Sequence, residues 1–129
     1  MSASEHSLAI TRAAAQAAAD KLGTEIAAFD VGDQFGIADV FLIVSAANDR
    51  QVGAVVDAIE ERLRDEFDEK PTRREGDREN RWVLLDYLDL VVHVMHAEER
   101  TFYALDRLWA DCPRLSLDGL GIEEAQEKR

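Results

Sequence analysis

Residues 81–95 read RWVLLDYLDLVVHVM, and this stretch decides the predicted fold. Two apolar runs, at 82–85 and 90–95, flank a short interruption that contains Asp86 and Asp89. Apolar runs of this length with a few residues between them predict two antiparallel strands joined as a hairpin. We expect a two-residue turn at Tyr87-Leu88, since the turn sets the register of a hairpin. The pairs expected from it are Asp86 with Asp89, Leu84 with Val91, and Trp82 with His93.

Side chains alternate between the two faces of a strand, so the hairpin has two chemically different faces. One face is aliphatic and is expected to lie under helices; it carries Val83, Leu85, Leu90, Val92 and Val94. The other, called the mixed face here, carries Trp82, Leu84, Asp86, Asp89, Val91, His93 and Met95. A large aromatic, acids and an imidazole on a rigid support are typical of a recognition surface.

A purely structural alternative exists for each polar member of the mixed face. If helices cover both sides of the sheet, Trp82 and His93 are core residues whose ring N–H groups find partners inside the fold. Asp86 and Asp89 lie at a turn, where short acids commonly cap loop amides. The sequence leaves both interpretations open.

Length and charge limit the function classes. With 129 residues, we expect one domain at 1–113 and a loosely ordered C-terminal tail at 114–129. The chain has 27 acidic and 15 basic residues, a net charge of −12. Such a chain repels phosphate backbones, so we expect no direct binding of DNA and a basic protein as the more natural partner.

The single cysteine, Cys112, allows neither a disulfide framework nor a cysteine-rich zinc site. The first 23 residues have charged or polar residues throughout and no basic segment ahead of an apolar run. They therefore match neither a signal peptide nor a membrane span. We expect a cytoplasmic protein that does not bind membranes.

The remaining pattern predicts an α/β domain with a mixed five-stranded sheet flanked by helices. The first helix is expected to start at Ser4 or Ser7, to stop at Gly23 and to bury Leu8, Ala15, Ala18 and Leu22. The other elements are a strand at 25–31, a central strand at 38–45, a helix from Asn48 to about Phe67, an edge strand at 72–75, the hairpin, and a helix at 97–110.

No motif in the chain predicts catalysis. The candidate metal ligands are Asp86, Asp89, His93 and His96, but His93 and His96 point to opposite faces of a strand. The glycine-flanked loop at 32–36 matches no phosphate-binding pattern, and Ser45 lacks the nucleophile elbow of hydrolases. We therefore expect no enzyme, no catalytic residue and no cofactor.

Four segments in order resemble one known family, the ribosomal silencing factors, also called the Iojap-related family. They are ADVFLIVSAANDRQV at 38–52, RREG at 73–76, WVLLDYLDLVVHVM at 82–95 and EERTFYALDRLW at 98–109. The resemblance runs over roughly residues 8–113. It implies a fold similar to that of nucleotidyltransferases without their catalytic acids.

The resemblance also implies a function. Members of this family are translational repressors that bind the large ribosomal subunit through universal large-subunit ribosomal protein fourteen and block joining of the small subunit when nutrients are limited. Many form homodimers off the ribosome. The contact residues that it implies here are Trp82, Leu84, Asp86, Tyr87, Asp89, His93, Met95, Arg100 and Tyr103, with Asp39 and Ser45 as secondary contacts.

Two other functions remain as alternatives. One is a degenerate nucleotidyltransferase-like enzyme that binds a nucleotide and magnesium. The other is a dimerisation module whose mixed face is self-complementary.

The chain departs from the family pattern at two positions. The family commonly has glycine where this chain has Leu88, and a leucine resists the positive φ of a tight hairpin turn, so the strand pairing is open to a slip. The family commonly has a Ser-Gly type of sequence where this chain has Ser45-Ala46-Ala47.

Overall fold

A computed structural model describes residues 4–32, 38–76, 78–103 and 112–117, with backbone only at 101–103. The elements in chain order are α1 (Glu5–Asp20), β1 (Thr24–Asp30), β2 (Val40–Ala46), α2 (Asp49–Phe67), β3 (Arg73–Glu75), β4 (Trp82–Asp86), β5 (Leu90–His96), α3 (Ala97–Tyr103) and β6 (Arg114–Leu115). Of the helix predicted at 97–110, residues 104–110 lie outside the described residues.

All six described strands form one mixed sheet in the order β3-β4-β5-β2-β1-β6. The central strands β2 and β5 run parallel, and the other neighbours are antiparallel. Every residue of β2 is buried, as its apolar run predicted for a central strand. The predicted α/β class with a mixed sheet is confirmed.

The sheet has one strand more than the five that were predicted. The sixth, β6, pairs antiparallel with β1 and contains the first two residues of the predicted tail, Arg114 and Leu115. Leu117 is also buried, at 1% exposure. The division into a domain and a tail stays a prediction beyond that point, since 118–129 lie outside the described residues.

The β4–β5 hairpin is two residues out of the predicted register. The strands stop at Asp86 and resume at Leu90, so the connection has three residues where a two-residue turn was predicted. Because the shift is even, each paired side chain keeps its predicted face. The observed pairs are Trp82 with Met95, Val83 with Val94, Leu84 with His93, Leu85 with Val92 and Asp86 with Val91, instead of Trp82 with His93, Leu84 with Val91 and Asp86 with Asp89.

Helices α1 and α2 cover the aliphatic face of the sheet and form the main core with it. Each begins at a predicted cap: the side chain of Ser4 accepts a hydrogen bond from Ser7 N, and that of Asn48 accepts one from Gln51 N. The predicted burial of Leu22 is wrong, because α1 ends at Asp20 and Leu22 is 74% exposed with φ at 64°. Leu8, also predicted to be buried, is half-buried.

Asp39, which was expected to be a secondary contact, holds the start of α1. Its Oδ2 accepts hydrogen bonds from Ser7 Oγ at 2.7 Å and from Ser4 N at 3.2 Å. These bonds, that from Ser7 first, lower the pKa of the Asp39 carboxyl. Asp39 therefore fixes the helix layer to the sheet at the start of β2.

In the described part of the chain, no helix combines the length and the apolar character needed to cross a bilayer.

Tyr87 anchors the hairpin tip in the core on the helix side. It is 3% exposed and packs in the main core. Burial raises the pKa of Tyr87, and the nearby carboxylates of Glu60 and Glu69 raise it further, while Arg74 lowers it. Within the described ranges, its buried Oη has no hydrogen-bond partner.

We expect the substitution Tyr87→Phe to stabilise the fold by about 1 kcal/mol, because it removes a desolvated hydroxyl and keeps the ring. Urea unfolding measures this change in the free energy of unfolding. Tyr87→Leu is the control that loses ring packing, and it is expected to destabilise the fold. A loss of stability in Tyr87→Phe would show that the hydroxyl does form a hydrogen bond.

Candidate functional site

The mixed face has an outer layer that reaches solvent. Trp82, Leu84 and Val91 are half-buried, and so is Asp86, while Asp89 at the hairpin tip is exposed. Trp82 and Val91 pack on a second apolar cluster that is separate from the main core. The outer layer is thus a strip of aromatic, aliphatic and acidic side chains along β4, β5 and their connection.

His93 and Met95 form the floor beneath this strip. They are 5% and 0% exposed, which makes direct contact with a partner incompatible with this conformation. Trp82 Nε1 donates a hydrogen bond to His93 Nδ1 at 3.1 Å, and the ring of Phe41 meets the imidazole edge-on at 5.3 Å between centroids. The structural interpretation therefore holds for His93, whose role is to fix the indole from below.

Burial lowers the pKa of His93 to about 4, because the charged imidazolium loses its hydration. The ring is neutral at pH 7. Since Nδ1 accepts the hydrogen bond from the Trp82 indole N–H, the ring hydrogen of neutral His93 lies on Nε2. This tautomer places the acceptor atom toward Trp82.

The two tip acids differ in how much of their hydrogen-bonding capacity is used. Asp86 Oδ1 accepts from Leu88 N at 2.9 Å, and Asp86 Oδ2 lies 3.8 Å from Arg73 Nη2. Asp86 thus caps the turn, as the structural alternative predicted. The carboxylate of Asp89 forms no hydrogen bond or salt bridge with any residue that the structure describes. Among the described residues, Asp89 is therefore the tip acid whose carboxylate has no partner.

Arg100, expected to be a contact, is 6% exposed. Its Nη1 donates to Ser45 Oγ at 3.0 Å and also to the backbone oxygen of Glu25. Arg100 therefore ties α3 to β1 and β2, and Ser45 serves as its acceptor. The side chain of the last expected contact, Tyr103, lies outside the described residues.

Tyr87 does not share the surface with the other expected contacts. It is buried on the helix side of the sheet, where it packs in the main core. Trp82, Leu84, Asp86 and Asp89 share the mixed face along the hairpin, with the acids toward the tip and with His93 and Met95 buried beside Trp82. It places Tyr87 and Arg100 in supporting positions.

Sequence reasoning missed the role of Arg81, which precedes β4. Its guanidinium reaches Glu99 at 2.8 Å, Glu98 at 3.4 Å and Asp49 at 3.7 Å. These contacts, that with Glu99 first, raise the pKa of Arg81. Arg81 thereby joins the starts of β4, α2 and α3 beside Trp82. The only signal in the sequence was the acidic pair at 98–99 after the hairpin, which has no fixed spacing to an arginine.

The described residues contain no group of three or more His, Cys, Asp or Glu side chains that can hold a metal ion. Asp86 and Asp89 do not converge with His93, since the acids lie at the tip and the imidazole lies beneath Trp82. The arrangement is suited to contact with another surface.

Comparison with known proteins assigns the chain to a family. The family model "Ribosomal silencing factor during starvation" matches residues 4–129. The chain belongs to the ribosomal silencing factor family. The resemblance seen in the four sequence segments is confirmed, and the family match extends beyond residue 113.

Individual proteins resemble this chain in sequence and in fold. Ribosomal silencing factor RsfS of Bacillus subtilis is 41% identical over 109 residues, covering 84% of this chain and 92% of that protein. A crystal structure from Chromobacterium violaceum has a TM-score of 0.76 at 27% identity and covers 80% of this chain and 85% of its own. A crystal structure from Bacillus halodurans has a TM-score of 0.72 at 31% identity, with coverages of 88% and 99%.

We expect the stability of this protein to fall between pH 6.5 and pH 5. The unfolded chain takes up a proton on His93 near its ordinary pKa of 6.5, whereas the folded chain, with a pKa of about 4, does not. Because the unfolded state then binds more protons than the folded state, the free energy of unfolding falls by about 2 kcal/mol by pH 5. Urea unfolding at a series of pH values measures the slope.

His93→Gln is the matched variant, because it keeps a polar side chain at that position and does not titrate. Its stability is expected to change much less over the same pH range. Equal slopes for the wild type and His93→Gln would contradict the assignment of a buried neutral imidazole.

Proposed function

We propose that this protein is a translational repressor that binds the large ribosomal subunit through universal large-subunit ribosomal protein fourteen and blocks joining of the small subunit, lowering translation when nutrients are limited. Membership in the ribosomal silencing factor family supports the general role. The observation that carries the proposed contact is the outer strip of the mixed face, where half-buried Trp82 is hydrogen-bonded to buried His93 and the carboxylate of Asp89 has no partner among the described residues.

Charge favours a basic partner for this strip. The chain carries a net charge of −12, and ribosomal proteins are generally basic. A carboxylate such as that of Asp89 gains charge-assisted hydrogen bonds when a lysine or arginine approaches it. The same negative charge disfavours non-specific adhesion to ribosomal RNA.

Rigidity of the strip favours binding without a large entropic cost. Trp82 is held by its hydrogen bond to His93, and Asp86 is held by the turn that it caps. Side chains that are already ordered lose little freedom on association. The proposed contact residues are therefore Trp82, Leu84, Asp86 and Asp89, with His93 and Met95 buried beside Trp82 and with Arg100 holding α3 to β1 and β2.

Inhibition by this mechanism requires only that the bound protein occupies space, and it requires no active site. A compact domain of 129 residues is about 35 Å across. A body of that size, fixed on the joining surface of the large subunit, overlaps the space of the small subunit.

No observation in the described part of the chain favours the enzymatic alternative with a nucleotide and magnesium. Homodimerisation off the ribosome stays a prediction, which light scattering at several protein concentrations tests.

Asp89→Arg is expected to weaken binding to purified large subunits by about thirtyfold or more, because it places a cation against a basic surface. Co-sedimentation with large subunits at several protein concentrations gives the affinities. The matched control is Asp57→Arg, since Asp57 is an exposed aspartate on α2, a helix on the other side of the sheet. Both variants change the net charge equally.

Binding of Asp57→Arg is expected to stay within a fewfold of the wild type. Equal losses in the two variants would show that only net charge matters, and full binding of Asp89→Arg would remove the mixed face as the contact. Addition of small subunits to the wild-type complex then tests the block of subunit joining.

A further inference from the structure

Leu88, at the tip of the hairpin, combines two unfavourable features. Its side chain is 63% exposed, and its φ is 72°, a region that L-residues rarely occupy. Among the described residues, only Leu22 is another large hydrophobic side chain with comparable exposure, and it also has a positive φ. A glycine or a polar residue would avoid the exposed apolar surface, and a glycine would also avoid the strain.

The tip is held firmly in this conformation. Asp89 N donates to Tyr87 O at 2.9 Å across Leu88, which together with the φ of Leu88 describes the rare, strained γ-turn. Asp86 Oδ1 accepts from Leu88 N at 2.9 Å, and Tyr87 N donates to Leu90 O at 2.8 Å. The leucine side chain is therefore displayed in a fixed direction.

The neighbours of the tip also hold it from outside the hairpin. The backbone oxygen of Asp89 accepts hydrogen bonds from Asp39 N at 3.0 Å and from Val40 N at 3.1 Å. Tyr87 is inserted in the main core. Because the backbone at the tip is already ordered, burying this exposed leucine against another surface costs little conformational entropy.

We propose that Leu88 is an anchor that inserts into an apolar pocket on a basic partner protein, while Asp89 pairs with a lysine or arginine at the rim of that pocket. The proposal rests on the proposed function, because it assigns a residue and a pocket chemistry to the same docking surface. The carboxylate of Asp89, which forms no hydrogen bond or salt bridge with any described residue, gives the sign of the charge at the rim. The exposed isobutyl group of Leu88 gives the apolar character of the pocket.

The test compares Leu88→Ala with Leu22→Ala. Each substitution truncates an exposed leucine at positive φ and keeps a β-carbon, so the backbone strain is the same before and after. Leu22 lies at the end of α1, away from the hairpin tip. Leu88→Ala is expected to weaken binding to purified large subunits about tenfold, because it removes the apolar surface that the pocket buries.

Leu88→Met and Leu88→Gly complete the series. Leu88→Met keeps apolar bulk and is expected to bind like the wild type. Leu88→Gly is expected to raise the midpoint of urea unfolding, because it relieves the strain, and to weaken binding as Leu88→Ala does. Opposite effects of one substitution on stability and on binding are not expected of a residue that is merely structural.

The outcomes separate this proposal from the proposed function. If the wild type binds large subunits and Leu88→Ala binds equally well, the anchor is overturned and the proposed function stands. If Leu22→Ala loses as much affinity as Leu88→Ala, the effect is not specific to the tip and the anchor is again overturned. If the wild type does not bind, both are overturned.

Discussion

The parallel pairing of β2 with β5 is the interaction on which the rest of the structure depends. Residues Val40–Ala46 lie beside Leu90–His96 over seven consecutive pairs, from Val40 with Leu90 to Ala46 with His96. Both strands are buried along almost their whole length, so their backbone groups have few alternatives to this ladder. The pairing places the mixed face of the hairpin next to Phe41 and Ile43, which belong to the apolar cluster on which Trp82 packs.

The two faces of the sheet therefore have different structural roles. The aliphatic face is sealed by α1 and α2 and supplies the larger core. The mixed face has a smaller core, with Trp82 and Val91 at its margin. A surface whose aromatic and acidic groups rest on a rigid sheet is suited to hold a partner in one orientation, as the proposed repression by steric block requires.

Much of the fold follows from the sequence because its signals are local. The period of two in 82–95 predicts which side chains share a face. This assignment stays correct although the strand pairing is shifted, because the shift is two residues. The caps at Ser4 and Asn48 marked both long helices. The register itself was not predictable, because it depends on a γ-turn at Leu88 and on the burial of Tyr87 in a core made by distant residues.

The candidate site was predictable only in part, for the same reason. The positions of Trp82 and Asp89 on the hairpin were predictable, because Trp82 alternates with the aliphatic side chains and Asp89 lies in the turn. The burial of His93, Met95 and Arg100 was not predictable from the sequence. It depends on β1, β2 and α3, which pack beside these residues from elsewhere in the chain. A periodic pattern gives the direction of a side chain, and tertiary packing decides how deeply it is buried.

A reconstruction by electron cryomicroscopy of this protein on the large ribosomal subunit tests the central claim most directly. We expect the β4–β5 hairpin to lie against a ribosomal protein, with the indole of Trp82 inside the contact and helices α1 and α2 turned toward solvent. A complex in which α1 and α2 lie against the ribosome, with the hairpin turned away, would contradict it.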